Sequence, residues 1–221
     1  MKYAVAFHGL PRIANRDSVQ KWQEIISAYQ ADVFIHSWCD KPDMPDTQKA
    51  LIETFNPVKI HLEPSRDFGI NNDDYPRRVF PTVVPYNVFS AHASFKESMR
   101  LLNEYSKVTS KIYDFVIKGR FDVIPGHLEF DYPNCITVPV DPLLMMKKQV
   151  WRTYKEVYAI NDLIAIGPQH LMELYANSID FLDYFYTVDG LDMCSELMIG
   201  ANLARQHVPV VQRLGIPVIV R

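Results

Sequence analysis

The stretch YDFVIKGRFDVIPG, residues 113–126, sets Lys118, Arg120 and Asp122 within five positions, directly after the apolar run 115–117. So much charge is not what the middle of a buried strand carries. An apolar run that ends in charge is how a strand of an open α/β sheet delivers side chains to the crevice beyond its carboxyl end. Alternation puts residues 118, 120 and 122 on one face only if the strand continues through Gly119. A glycine between two cations leaves room for a ligand. The competing account is an ordinary surface ion-pair cluster at the mouth of a sheet. Asp114, at the entry end of the run, reads as a turn or cap residue.

A second group follows the first apolar run, YAVAF. In HGLPR, Gly9 lets the backbone approach a ligand closely, and Arg12, next to His8 and Gly9, can clamp a phosphate or stack on a base. A tight turn with a solvated arginine explains the same five residues. The run DVFIHSW ends in His36, Ser37 and Trp38, placed to flank a nucleotide with the indole as a stacking surface, although a core tryptophan is the commoner outcome. Tyr75, Arg77 and Arg78 lie in a long proline-dotted stretch, 65–85, that reads as a lid over a ligand or as a solvated loop. Neither GxGxxG nor GxxxxGK[ST] is present, so neither a dinucleotide fold nor a P-loop is supported. The seven histidines show no HxxxH or similar spacing, and no zinc is expected.

These residues need a scaffold, and the pattern supplies one. Strand-length runs at 3–7, 32–38, 58–62, 115–117, 135–140 and 162–167 alternate with segments of helical period. DSVQKWQEIISAY carries Val19, Trp22, Ile25, Ile26 and Tyr29 on one face behind an Asp17 or Ser18 cap. TQKALIETF is a short helix closed by Pro57. NVFSAHASFKESMRLLNEY is a long helix with Val88, His92, Phe95, Met99 and Leu102 as its buried stripe. One helix opens at Pro168, another runs through SELMIGANLARQ, and VPVVQRL and IPVIV close the chain as strands. Strand and helix in repetition imply a three-layer α/β/α fold with a mostly parallel central sheet.

Composition agrees with that class. A chain of 221 residues fits one domain, 1–221, and at that size roughly 70% of the unfolded surface can be buried without staples. Cys39, Cys135 and Cys194 are odd in number and widely spaced, so they read as reduced thiols in a cytoplasmic setting. A net charge of −3 argues against a nucleic-acid partner. No run approaches the length of a membrane span. The abrupt end after IPVIVR is compatible with one module of a longer polypeptide, whose further domains would be partners.

The order of these motifs resembles the GT-A-fold glycosyltransferases, a Rossmann-related group, and in particular small viral and bacterial enzymes that build surface glycans. The motifs are a Gly-x-x-Arg turn after strand one, DVFIHSW, a long helix, the Lys-Gly-Arg-Phe-Asp strand end, NDLIAIG and a late Ser-Glu helix. The resemblance implies a nucleotide-sugar donor, UDP-linked by default, and a glycan acceptor. It also implies a Mn²⁺ or Mg²⁺ ion held at the strand end. Metal-dependent members carry Asp-x-Asp there. This chain has Arg120-Phe121-Asp122, so Asp122 alone is left as ligand while Lys118 and Arg120 meet the diphosphate. The resemblance further suggests Asp162 facing donor or acceptor, and Glu196 as the base that takes the acceptor's proton in an inverting reaction. Asp192 is the competing candidate for that base, and a strand-start turn and a helix cap are the plainer roles of Asp162 and Glu196. Two other functions compete with sugar transfer: a nucleotidyltransferase that makes the sugar nucleotide, and a catalytically silent sugar-binding module.

Overall fold

In a computed structural model the structure describes residues 1–75, 83–140, 148–149, 157–215 and 217–219. Arg77 and Arg78 of the expected lid lie outside the described residues. Among those described, no helix is long and apolar enough to cross a membrane.

The chain runs β1 (Tyr3–His8), α1 (Arg16–Tyr29), β2 (Asp32–Trp38), α2 (Met44–Phe55), β3 (Lys59–Glu63), α3 (Pro85–Thr109) and β4 (Phe115–Arg120). Then follow the short β5 (Val123–Ile124), β6 (Ile136–Pro139), β7 (Lys148–Gln149), β8 (Val157–Tyr158) and β9 (Ala165–Gly167). Helices α4 (Gln169–Ala176), α5 (Leu182–Thr187) and α6 (Ser195–Arg205) lead to β10 (Val210–Leu214) and β11 (Val218–Ile219). Among the described residues seven strands form the central sheet, in the order β10-β6-β9-β4-β1-β2-β3. Neighbours pair parallel except β9, which runs antiparallel to both β4 and β6. This is the three-layer α/β/α class with a mostly parallel sheet read from the sequence. The IPVIV segment departs from that reading: β11 pairs with β5 outside the central sheet.

Alternation along the central strands builds both layers. Ala4, Ala6 and Val116 pack with Phe95, Met99 and Leu102 of α3 on one face. Val5, Phe7, Phe115 and Ile117 pack with Trp22 and Ile25 of α1 and Leu51 and Phe55 of α2 on the other. Burial on both faces is why β1 and β4 read as continuous apolar runs. A third cluster joins Val88 and Phe89 of α3 to Leu182, Phe185, Leu197 and Met198.

Helix boundaries follow cap chemistry. The α1 cap is Asn15, whose Oδ1 accepts from the Ser18 amide at 3.0 Å. The expected Asp17 or Ser18 cap fails because the Ser18 hydroxyl is engaged elsewhere, buried against the carbonyls of Phe121 and Val123. Helices α1, α2 and α3 each end on a left-handed residue that is not glycine, namely Gln30 (φ 49°), Asn56 (φ 44°) and Ser110 (φ 56°). Each of these turns leads straight into β2, β3 or β4. Asn56, rather than Pro57, closes α2.

Candidate active site

Parity along β1 and β4 decides what the α3 face of the sheet presents. His8 follows Ala4 and Ala6; Lys118 and Arg120 follow Val116, and β4 does run through Gly119, so these side chains share that face. Gly119 has the opposite parity. A Cβ there would lie 3.1 Å from Phe7 and from Trp22, so the glycine makes room for the core and not, as expected, for a ligand.

At the carboxyl ends of β1 and β4 a cleft of about 320 Å³ is lined by His8, Gly9, Arg12, Trp38, Arg120 and Asp122. Its centre is a carboxylate gripped by two guanidinium groups. Arg12 Nη1 donates to Asp122 Oδ2 at 2.6 Å; Arg120 donates through Nε to Oδ1 at 3.0 Å and through Nη2 to Oδ2 at 2.9 Å. Burial would push the Asp122 carboxyl up, but the hydrogen bonds and charges of Arg120 and Arg12 hold it below the ordinary aspartate range. The aspartate is buried while the Arg12 side chain is 50% exposed. Two cations share one anion, so positive charge faces the opening.

The turn after β1 shapes the floor. Gly9 has φ +94°, a conformation other residues rarely adopt, and nothing lies within 4 Å of where its Cβ would point. Its amide donates to Ser94 Oγ of α3 at 2.7 Å, and its carbonyl accepts from Ser37 Oγ at 2.7 Å and the Trp38 amide at 3.2 Å. Ser37 is therefore a buried brace of the turn. Trp38 walls the cleft, its Nε1 donating to the Ser90 carbonyl. His8 is 3% exposed, and neither ring nitrogen has a hydrogen-bond partner. Burial, reinforced by the charges of Lys118 and Arg120, keeps this imidazole neutral, well below its usual pKa. A buried polar ring without partners is costly unless a ligand supplies them.

His8 also lines a second, much smaller pocket with His92, Lys118, Asp162, Tyr175 and Ser195. That pocket is about 10 Å³, close to the minimum that holds one water. Because β9 runs antiparallel, residues that precede it, Asp162 among them, come to the edge where β1 and β4 end. Lys118 is buried here and donates to the Asp162 carbonyl, so it does not join Arg120 in the cleft as the resemblance implied. Burial lowers its pKa to about 8, against the opposing pull of Asp162. Ser195 Oγ donates to Asp162 Oδ2 at 2.5 Å. A carboxylate only accepts, so the 3.0 Å contact between Ser195 Oγ and His92 Nε2 requires His92 to donate, and Ser178 Oγ then donates to Nδ1 at 2.6 Å. Burial lowers the His92 pKa to about 4, consistent with this neutral tautomer.

The two carboxylates of this region are pushed apart. Burial raises Asp162, but Lys118, the Ser195 hydrogen bond and Arg120 outweigh it and hold the group low. Glu196, opening α6, is raised by burial and by the charge of Asp162; its Oε2 accepts from the Cys194 thiol at 2.7 Å. Asp192 is buried before α6, its carbonyl accepting from the Cys194 amide; neither Asp192 nor Glu196 lines either pocket, whereas Asp162 lines the smaller one.

Asp122 does not fit a divalent metal in this arrangement. Both of its oxygens already accept from arginine, and among the described residues no second carboxylate shares the cleft lining. Among the described residues the cluster of three potential ligands lies elsewhere: His36, His61 and Glu63, with one donor atom from each within 4.8 Å of the others. Sequence spacing did not reveal it, because His36 belongs to β2 and the other two to β3. The available signal was the pair His61-x-Glu63, which alternation puts on one face of a strand.

No protein-family model matches the chain, and no curated protein does. A solved structure from Desulfovibrio desulfuricans, provisionally named a nucleotide-diphospho-sugar transferase, is similar over 96% of this chain and 80% of its own. The identity is 10% and the TM-score 0.43.

Proposed function

We propose that the chain transfers a sugar from a nucleoside-diphosphate donor to a glycan acceptor, with arginine rather than a metal at Asp122 receiving the leaving diphosphate. The observation that carries this reading is the Arg12–Asp122–Arg120 cluster in an open cleft beside Gly9 and Trp38. A diphosphate entering the cleft takes the free donors of two guanidinium groups, whose forks match phosphate oxygens. Asp122 holds both cations at the place where charge develops as the glycosidic bond to the diphosphate breaks, so little reorganisation is needed during reaction. The Gly9 turn admits the phosphates against backbone, Trp38 offers an aromatic wall for the base, and His8 supplies hydrogen bonds to the donor.

Asp162 and Glu196 form the pair that handles the proton. An environment that keeps one carboxylate ionised and raises the other separates their roles. Asp162, fixed by Ser195, orients; Glu196, with its raised pKa, accepts the acceptor hydroxyl's proton. The pocket of about 10 Å³ beside Asp162 is too small for a sugar and must widen for the acceptor to arrive.

The test is a panel of nucleoside diphosphates and nucleotide sugars followed by thermal shift in chelator, together with release of nucleoside diphosphate in the presence of glycans. A ligand that binds only the folded chain raises the melting temperature. A shift that persists in EDTA and is lost in Arg12→Ala and Arg120→Ala is expected. No shift with any diphosphate, or one indifferent to both arginines, overturns the reading.

A further inference from the structure

We propose that His36, His61 and Glu63 form a binding site for a divalent transition metal of the zinc class, distinct from the diphosphate cleft. In the parallel pairing of β2 with β3, His36 lies directly opposite His61 and Trp38 opposite Glu63. Residues in register share a face, and His61 and Glu63, two apart, share it too; Ser94 of α3 covers it. Three donor atoms within 4.8 Å of one another come within coordinating reach through small side-chain rotations. Two imidazoles and a carboxylate, completed by one water, are a donor set that suits Zn²⁺, Co²⁺ or Ni²⁺ better than Mg²⁺ or Ca²⁺.

Three further observations favour a ligand here. His61 Nδ1 is buried and has no hydrogen-bond partner. Glu63 accepts from His36 Nε2 at 2.9 Å and from Arg66 at 2.7 Å through the same oxygen, Oε1. Arg66 also donates to Glu97 at 3.0 Å, so it keeps a carboxylate when a metal claims Glu63.

The outer contacts are equally prepared. His36 Nε2 now carries the proton that it donates to Glu63, so Ser94 Oγ donates to Nδ1 at 2.8 Å. On metal binding at Nε2 that proton is exchanged through solvent to Nδ1, which then donates to Ser94 Oγ. The serine hydroxyl turns to the His36 carbonyl, 3.4 Å away, and still accepts from the Gly9 amide. A hydrogen bond from the far nitrogen of a ligating histidine is the usual support of such sites. The metal would pin β2 and β3 to α3, and through Ser94 it would steady the Gly9 turn.

Tag-free protein stripped of metal is titrated with Zn²⁺ by calorimetry and with Co²⁺ by visible absorption, beside His61→Ala and Glu63→Gln. Both side chains reach solvent, and the melting temperature of each variant without metal checks that it folds. The expected result is one Zn²⁺ per chain, tetrahedral Co²⁺ bands, and affinity weakened about 100-fold or more in His61→Ala. Absence of saturable Zn²⁺ binding by the parent protein, or affinity in both variants equal to the parent's, overturns the site. The titration is read without nucleotide, so its outcome is independent of the proposed transferase activity.

Discussion

Asp122 and Glu196 show how one functional group, the carboxyl, serves opposite ends. The folded pKa of Asp122 is depressed, so its contribution to stability is present above the unfolded value of about 3.9 and is lost as pH falls through the folded value. Asp122→Ala should cost about 1–3 kcal/mol at pH 7, the worth of charge-assisted hydrogen bonds made by a buried carboxylate. Urea melts should show that cost shrinking below pH 4. Arg12→Ala, at a half-exposed position, should cost under about 1 kcal/mol while abolishing the nucleotide-induced thermal shift. Glu196 has the reverse sign. Its folded pKa is raised, so its contribution is full below about pH 4.3 and is lost as pH rises through the folded value. Glu196→Gln should therefore leave stability unchanged or improved at pH 7 while lowering the transfer rate by about 10²–10⁴-fold. The pH–rate profile of the parent should have its acidic limb above the ordinary glutamate range. A Gln variant that is destabilised and fully active would show that Glu196 serves only the fold.

At the scale of elements, β4 carries the strongest expectation. Gly119→Ala puts a methyl within 3.1 Å of Phe7 and Trp22 and should destabilise by about 1–3 kcal/mol through overpacking, with Arg12 and Arg120 still able to bind diphosphate. Loss of binding without loss of stability would return Gly119 to the cleft. The same strand shows what a sequence can and cannot disclose. Alternation put Lys118, Arg120 and Asp122 on one face if the strand ran through Gly119; β4 ends at Arg120, so strand period covers the first two and Asp122 lies in the turn beyond. Alternation could not say that Lys118 would be roofed over by Tyr175 and Asp162, because that cover comes from segments more than 40 residues away. The Asn15 cap was missed for a similar reason: Ser18, the better-looking candidate, spends its hydroxyl on two carbonyls of a distant turn.

For the whole molecule, the α/β/α class was legible because doubly buried strands and amphipathic helices leave a strong periodic signal. The reversal of β9 was not, since strand direction leaves no mark on composition. Nor was the His36–His61–Glu63 group, which exists only once β2 and β3 are in register. The sheet order makes a global prediction: amides of β1 and β4, paired to each other at its centre, should exchange most slowly with deuterium, and those of edge strand β3 among the fastest of the sheet. Uniform protection across the sheet would contradict that layering.

The three left-handed helix ends have a practical consequence. Gln30, Asn56 and Ser110 all sit where a helix hands over to the amino end of a strand, whereas the arginine cleft lies past the carboxyl ends. The strained helix ends and the proposed site thus occupy opposite rims of the sheet. Glycine at Gln30 and Ser110 should relieve about 0.5–1 kcal/mol each, read as a higher melting temperature with donor affinity unaltered. A hardier protein can be engineered from the silent rim alone.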